Sequence, residues 1–538
     1  MKRVVLCLLV LLILAGGGGT LFASGSSSSN APAAASQTKT PVGQYPIDTD
    51  VTLRYWVQLH ANISPNYTNL GDTPFYKELF KRTGVKISFE HPPSNAVSEA
   101  YNVMLASGDL PDIIEYNFTI YPGGPEKAIY DEIILKLNDV IDKFAPNLKA
   151  RLKSNSQWDK LVKTDDGSYY VFPFIRGDPK LLYTQGLMMR KDWLDDLGLQ
   201  PPQTIQEWHD VLVAFRDKKG ATAPFTMAWS NRGRMFMPGF GILNEMFISA
   251  DDKKVHFGPM ENGYRRWLET MAQWYKEGLI DKDVMTVTAA QINTKMSTNV
   301  SGAAVGSIQS GMGLWTTTAR PNNPRYMITA LQYPVLNRND KLVYSVATQP
   351  YAADSAAISA TSKNAEIAAR FLDFGYGTLG NLVYNFGTEG ESYTMRNNQP
   401  FYTPFIMGGT DKKWPLAQAI GAWARGNMAG PFIQDPRYID QYYDQPEQTA
   451  ALSTFALQGA ENFMLPASVS PTQAESREYA SIINEINTYT AERASRWVLG
   501  TDPINDTTWN EYVSALRRMN IDRAIAIQNA ALDRFNKR

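Results

Sequence analysis

Glu389 and Glu391 in GTEGESY (387–393) are two carboxylates two residues apart. In an extended chain residues two apart share a face, so these groups can lie about 7 Å from each other. That spacing overlaps the range in which inverting glycosidases place a water between acid and base. The segment also holds Tyr393, and Glu389 with Tyr393 suits a grip on ligand hydroxyls equally well; a solvated loop is the bland alternative. Other catalytic signatures are missing. The four histidines, His60, His91, His209 and His256, are widely separated, and there is no H-E-x-x-H, no G-x-S-x-G and no phosphate loop. His209 lies among apolar helix positions, where a structural role outweighs ligation. No metal spacing stands out and no cofactor is expected, although scattered aspartates can form a calcium site without a readable motif.

Aromatic residues are 12% of the chain and include 12 tryptophans, which divide by context. Trp193, Trp208, Trp267, Trp274, Trp497 and Trp509 sit in helical patterns that read as core. Trp56 ends a strand, whereas Trp229 (MAWSNRGR), Trp315 (GMGLWTTT) and Trp423 (IGAWARGN) are flanked by small or polar residues that suit exposed loops. These four are candidates to stack on a sugar ring, since the C–H face of a pyranose packs on an indole while its hydroxyl rim needs directional partners. Those partners would come from Glu115 and Asn117 at the strand end EYN, from Arg190, and from Asn231 with Arg232. For Arg190 a solvent salt bridge is the alternative.

The elements that must position these residues can be read from pattern and punctuation. VTLRYWV (51–57), VKISFE (85–90) and DIIEY (112–116) read as strands; a Thr73-Pro74 start and a Gly84 stop bound one helix between them, and Gly108 ends another. Short β-α-β-α-β connections of this kind predict a parallel sheet, which places ligands at the carboxyl ends of its strands. Further on, Thr204 and Glu207 form a T-x-x-E capping box for a helix burying Trp208, Val211, Leu212 and Phe215. Tyr264, Trp267, Leu268, Met271, Trp274 and Tyr275 recur at helical spacing. Helices are also expected around Ile367 to Phe374 and from near Thr472, Thr508 and Asp522.

Met1-Lys2-Arg3, the apolar VVLCLLVLLILA and the small-residue exit Ala23-Ser24-Gly25 have the form of a secretory signal cleaved near residues 23–25, followed by a flexible leader (26–50). The protein is expected to be exported, periplasmic or at the cell surface. The single cysteine, Cys7, falls inside the apolar run, so no disulfide is expected, and with only six residues before it a lipid anchor is not. The chain carries 52 basic against 53 acidic residues without a basic tract, which excludes nucleic acid as an expected partner.

The order of ASGDLPDII (106–114), GSYYVFPF (167–174), LMMRKDWLDDLGLQPPQTIQEWHDVLVAF (187–215), WYKEGLID (274–281), GTEGESY (387–393) and YVSALRRMNIDRAIAIQNAALDRF (512–535) resembles the extracellular solute-binding proteins of bacterial ABC sugar importers, in their long, lipoprotein-like subfamily. Two departures are the missing lipid-modified cysteine and Asn520, where relatives commonly have glycine. The resemblance implies an α/β, two-lobed periplasmic-binding-protein type II fold, each lobe a mixed sheet flanked by helices. Residues 51–180 would begin lobe 1, 181–345 form lobe 2, 346–405 return to lobe 1, and 406–538 add helices completing both. GSYYVFPF and YSVATQPYAADSAA (344–357) would lie near the crossings, and EYN and GTEGESY beside the cleft. The implied function is capture of a sugar or oligosaccharide by a monomeric receptor for a membrane permease, without enzymatic activity. A secreted glycoside hydrolase using the carboxylate pair, and a receptor for peptides or other solutes, are the competing readings.

Overall fold

A computed structural model describes residues 38–229, 233–351, 354–408, 414–457 and 459–538. The signal-like segment, residues 26–37 of the leader, and Asn231 with Arg232 lie outside the described residues.

Three strands, β1 (Thr52–Trp56), β2 (Lys86–Glu90) and β3 (Ile113–Tyr116), pair in parallel with β1 in the middle. Between them, α1 (Pro74–Thr83) starts where the Thr73 hydroxyl accepts from the Tyr76 N–H, and ends at Gly84 with φ 74°. The helix α2 (Val97–Ser107) ends at Gly108 in the same left-handed form. The strand Ser355–Ile358 returns antiparallel on β3, making the sheet mixed, with Ser355 opposite Tyr116. Leu53, Tyr55, Ile113 and Ile114 bury the sheet against flanking helices in one continuous apolar core.

A second mixed sheet is ordered Ile328–Leu331, Gln185–Arg190, Ala303–Ser307, Phe225–Thr226. Gln185–Arg190 runs antiparallel to both neighbours, while Phe225–Thr226 is parallel to Ala303–Ser307. Its core gathers Trp208, Leu212 and Phe215 from one helix with Trp267, Leu268, Met271 and Trp274 from another. Tyr275 is only half-buried, its hydroxyl reaching toward the Lys282 carbonyl. The Thr204 hydroxyl caps the first of these helices as expected, but Glu207 reaches back to the Gln203 N–H, one residue before the cap. The capping box is therefore half formed.

The two lobes are joined by segments running side by side. Phe172 and Ala356 exchange both backbone hydrogen bonds, the Arg176 N–H donates to the Pro350 carbonyl, and the Thr348 N–H donates to the Leu182 carbonyl. The GSYYVFPF and YSVATQPYAADSAA segments thus meet at the junction. Gln349 ties this junction to the Leu465–Ala467 segment through its side-chain amide.

Three helices close the chain: Gln473–Val498, Asp506–Arg518 and Ile521–Asn536. Asn520 takes the left-handed conformation, φ 63°, that a glycine would otherwise supply, which accounts for its tolerance at that turn. The helix Ile521–Asn536 contacts both lobes. Asn529 exchanges hydrogen bonds with the backbone of Val255, in a hairpin of the second lobe, while Arg534 pairs with Asp165 of the first at 2.7 Å. Arg538 adds a second ion pair to Asp165 and donates to the Ser468 carbonyl. No helix among the described residues is long and apolar enough to cross a membrane.

Candidate functional site in the first lobe

The carboxyl ends of β1 and β3 and the amino end of Ser355–Ile358 lie at one edge of the first sheet, where an open α/β sheet leaves a crevice. A single buried cation organises this edge. Arg425 donates from both terminal nitrogens to Glu115, at 2.5 and 3.0 Å, and also to the Ala429 carbonyl and the Tyr76 hydroxyl. The Tyr55 hydroxyl donates to Glu115 at 2.6 Å. Burial alone would lower the Arg425 guanidinium, but the Glu115 charge overrides it and holds the group charged well above its usual range. Both carboxylate oxygens of Glu115 are thus occupied within the lobe.

Two titratable groups feel the charges of this pair. His60, four residues beyond β1, is exposed, yet burial pushes its imidazole down to about 4, with the Arg425 charge adding to the effect. This imidazole stays neutral at physiological pH. Asp354, just before the returning strand, is half-buried and has no hydrogen-bond or ion-pair partner among the described residues. Burial, and then the Glu115 charge, push its carboxyl up to about 6 against the pull of Arg425. At the junction, Arg176 lies over the Phe174 ring at 5.0 Å and donates to the Gln349 carbonyl. With no carboxylate beside it, burial pushes it down to about 10. His60, Asp354 and Arg176 supply an acceptor, an anion and a cation, a set suited to the hydroxyls of a polyol.

Aromatic rings border the same edge. Trp56 packs edge-on to Tyr116, which stacks on Tyr101 at 4.1 Å. Half-buried Trp423, at the end of the helix Leu416–Trp423, meets Phe405 at 5.0 Å and Trp414 at 5.7 Å, and Trp414 meets Tyr67. This helix sits against the loop after β1: Gly421 approaches Asn62 so closely that a Cβ there would lie 3.1 Å from Asn62 Cβ, and Gln418 accepts from Asn66. The buried Trp423 Nε1–H has no acceptor among the described residues.

The residues singled out from sequence fall in different places. Trp56, Glu115, Asn117 and Trp423 come together at this edge. Trp56 is buried, however, and Asn117 spends its carbonyl oxygen capping the turn at Thr119. Trp315 is not in an exposed loop. It lies on the helix Leu314–Ala319 at 1% exposure, donates to Asn293 at 2.7 Å, and fills the space beside Gly306 and Gly311. Arg190 is also 1% exposed, bidentate to Asp192, bonded to Asn299 and sandwiched between Trp193 and Tyr326, rather than in a solvent salt bridge. Trp229 is half-buried in the second lobe, stacked on Trp267.

Gly387 and Gly390 adopt φ 90° and 85°, so GTEGESY turns instead of running extended. Tyr393 is buried and feels the charges of Glu389, Arg82 and Glu78, on the flank of α1 beyond the turn where Tyr76 meets Arg425. Glu389 and Glu391 are exposed. Sequence reasoning missed Arg425, His60, Asp354 and Arg176; for Arg425 the one available signal was its place beside Trp423 in IGAWARGN. Among the described residues no three His, Cys, Asp or Glu side chains gather to hold a metal ion.

Two mixed sheets, each with its own core, joined by adjacent crossings and presenting an aromatic, polar edge, are a frame suited to enclosing a solute. A profile of the bacterial extracellular solute-binding proteins matches residues 67–378. The chain belongs to that family. This solute-binding protein is 26% identical to the fructooligosaccharide ABC transporter substrate-binding protein FusA of Streptococcus pneumoniae, over 91% of its own length and 92% of FusA. It is 25% identical to the melibiose/raffinose/stachyose-binding protein MelE of Bacillus subtilis, over 39% of its length and 46% of MelE. Among solved structures it resembles the alginate-binding protein AlgQ2, crystallised without calcium ion, with a TM-score of 0.74 and 26% identity over 92% of this chain and all of that one. FusA in complex with kestose gives a TM-score of 0.72 at 22% identity, over 90% of this chain and all of that one, and shares the two-lobed fold.

Proposed function

We propose that this solute-binding protein is the substrate-binding component of an ABC importer, capturing a sugar or oligosaccharide between its lobes and delivering it to a membrane permease. The observation that carries the reading is the near full-length relation to FusA, a protein named for that task. The first-lobe edge agrees with it chemically: rings for C–H faces, with His60, Asp354 and Arg176 for hydroxyls. Arg425 and Glu115 act as the support that holds this edge in shape. A ligand touching both lobes binds the closed form better than the open one, and that difference in affinity drives closure. The permease would spend the ATP. The exported, monomeric state belongs to the same proposal.

A hydrolase built on Glu389 and Glu391 finds no support in the geometry, because the turn at Gly387 and Gly390 removes the extended spacing on which that idea stood. The deciding experiment is calorimetry of the full chain against neutral oligosaccharides, uronates and peptides, with product analysis in parallel. Saturable binding of a saccharide without turnover is expected. Turnover, or binding of peptides alone, would overturn the reading.

A further inference from the structure

β2 is the terminal strand of the first sheet, and among the described residues it pairs with β1 alone. Across that ladder the Val57 N–H donates to the Glu90 carbonyl, so Lys86, Ser88 and Glu90 turn their backbone groups inward to β1. Those of Ile87 and Phe89 then point outward. Among the described residues no other segment meets these two N–H and two C=O groups, which form an open pairing edge.

The side chains of the same two residues, both half-buried, line a groove of about 310 Å³ between β2 and α1. Leu79 and Phe80 of α1, with Val85, continue its apolar lining, and Phe80 is left 47% exposed. Phe89 is held in place by Tyr76, 4.4 Å away and edge-on, and by Tyr55 at 5.5 Å. Lys77 and Lys86 also line the groove, both exposed and without a carboxylate partner among the described residues. No carboxylate lines it, and the nearby Glu90 is balanced by Arg54 at 2.7 Å.

The groove alone would accept any apolar group. The open backbone beside it selects an extended chain, which can pair with Ile87 and Phe89 through main-chain hydrogen bonds while every second side chain enters the groove. The side chains between those lie on the sheet face of Lys86, and the uncompensated lysines select acidic ones. We propose that the edge of β2 is a docking site for an extended, acidic peptide segment of another protein, which adds a strand to the first sheet and sets alternate apolar side chains between β2 and α1. None of His60, Asp354 and Arg176 lines this groove, so the site is separate from the edge assigned to the solute.

The test uses the full chain and three blocked hexapeptides: one alternating glutamate with valine, its lysine counterpart, and the glutamate peptide N-methylated at alternate residues. Fluorescence polarisation should show saturable binding of the glutamate peptide, about fivefold or more tighter than the lysine one. N-methylation should weaken it about tenfold or more, because it removes main-chain donors and leaves the side chains in place. Hydrogen exchange at the Ile87 and Phe89 amides should slow on binding. Lys77→Glu with Lys86→Glu should reverse the order of the two charged peptides, and Phe80→Ala, which removes an exposed ring, should lower affinity about threefold or more with the melt unchanged. No binding of either charged peptide, in protein that still binds a saccharide, would overturn the docking site and leave the receptor reading standing. Binding that survives N-methylation undiminished would overturn strand addition. Self-association of the protein that protects the same two amides would give the edge to a second copy and overturn the assignment.

Discussion

Arg425 and Glu115 are 310 residues apart in the chain and 2.5 Å apart in space. Their pair joins the end of β3 to the segment after Trp423, and it also orients Tyr55 and Tyr76. Glu115→Gln leaves a buried guanidinium without its counter-charge, which should cost about 3–5 kcal/mol of stability. Replacing both residues together, Glu115→Leu with Arg425→Met, should cost less than the sum of the single changes, since no lone charge remains. Urea unfolding of the four proteins measures the coupling; additive losses would show that the pair is not a unit.

Trp315 should matter for stability and not for ligand contact. Trp315→Ala empties a site at 1% exposure and strands the Asn293 acceptor, so a loss of about 3–5 kcal/mol is expected. Ligand affinity of the fraction that folds should stay close to wild type. Weakened binding with an unchanged melt would reverse the assignment.

Asp354 gives opposite pH trends for stability and affinity. Its folded carboxyl is pushed up to about 6 from the ordinary carboxyl value of 3.8, so between those values the folded state holds a proton that the unfolded state lacks. Its contribution to stability therefore rises as pH falls through that window. A protonated carboxyl accepts hydroxyl donors poorly, so affinity for a saccharide should weaken as pH drops from about 7 to about 5. His60, held down to about 4, stays neutral over this range, and Arg425 stays charged, so neither masks the trend. Asp354→Asn should flatten the affinity profile. A wild-type profile that is already flat would remove Asp354 from the contact set.

Glu389→Gln should leave saccharide affinity unchanged, because the side chain is exposed and its segment lies on the flank of α1. A loss of tenfold or so, about 1.4 kcal/mol, would return this segment to the cleft.

The first sheet was legible because its signals are local. Thr73-Pro74, Gly84 and Gly108 mark element ends within a few residues, and parallel strands follow from short connections. Glu115 was misjudged because its partner lies across the chain, where no periodicity reports it. Arg190 was misjudged for another reason: its ion pair is local, to Asp192, but the rings that seal it in are Trp193 and the distant Tyr326. Trp315 misled through composition. GMG suggests an open loop, yet these residues end a π-helical turn, Ile308–Gly313, and the absent side chain of Gly306 makes room for the indole. His60 and Asp354 carry no motif at all. Each is ordinary until folding brings it beside Arg425.

The helix Ile521–Asn536 grips Val255 on one lobe and Asp165 on the other, and its Arg538 anchor reaches Ser468, close to the Gln349 contacts of the junction. Mechanically it is a ligament along one side of a bivalve. Parts near a rotation axis travel little while parts at the far rim travel a long way, so on opening the shell should gape opposite the ligament and hardly at all beside it. A flexible chain would then enter broadside through that one mouth rather than thread end-on. The length of oligosaccharide admitted would be set by the width of the gape, which scattering in solution should register as a larger radius of gyration in the free protein than in the saturated one.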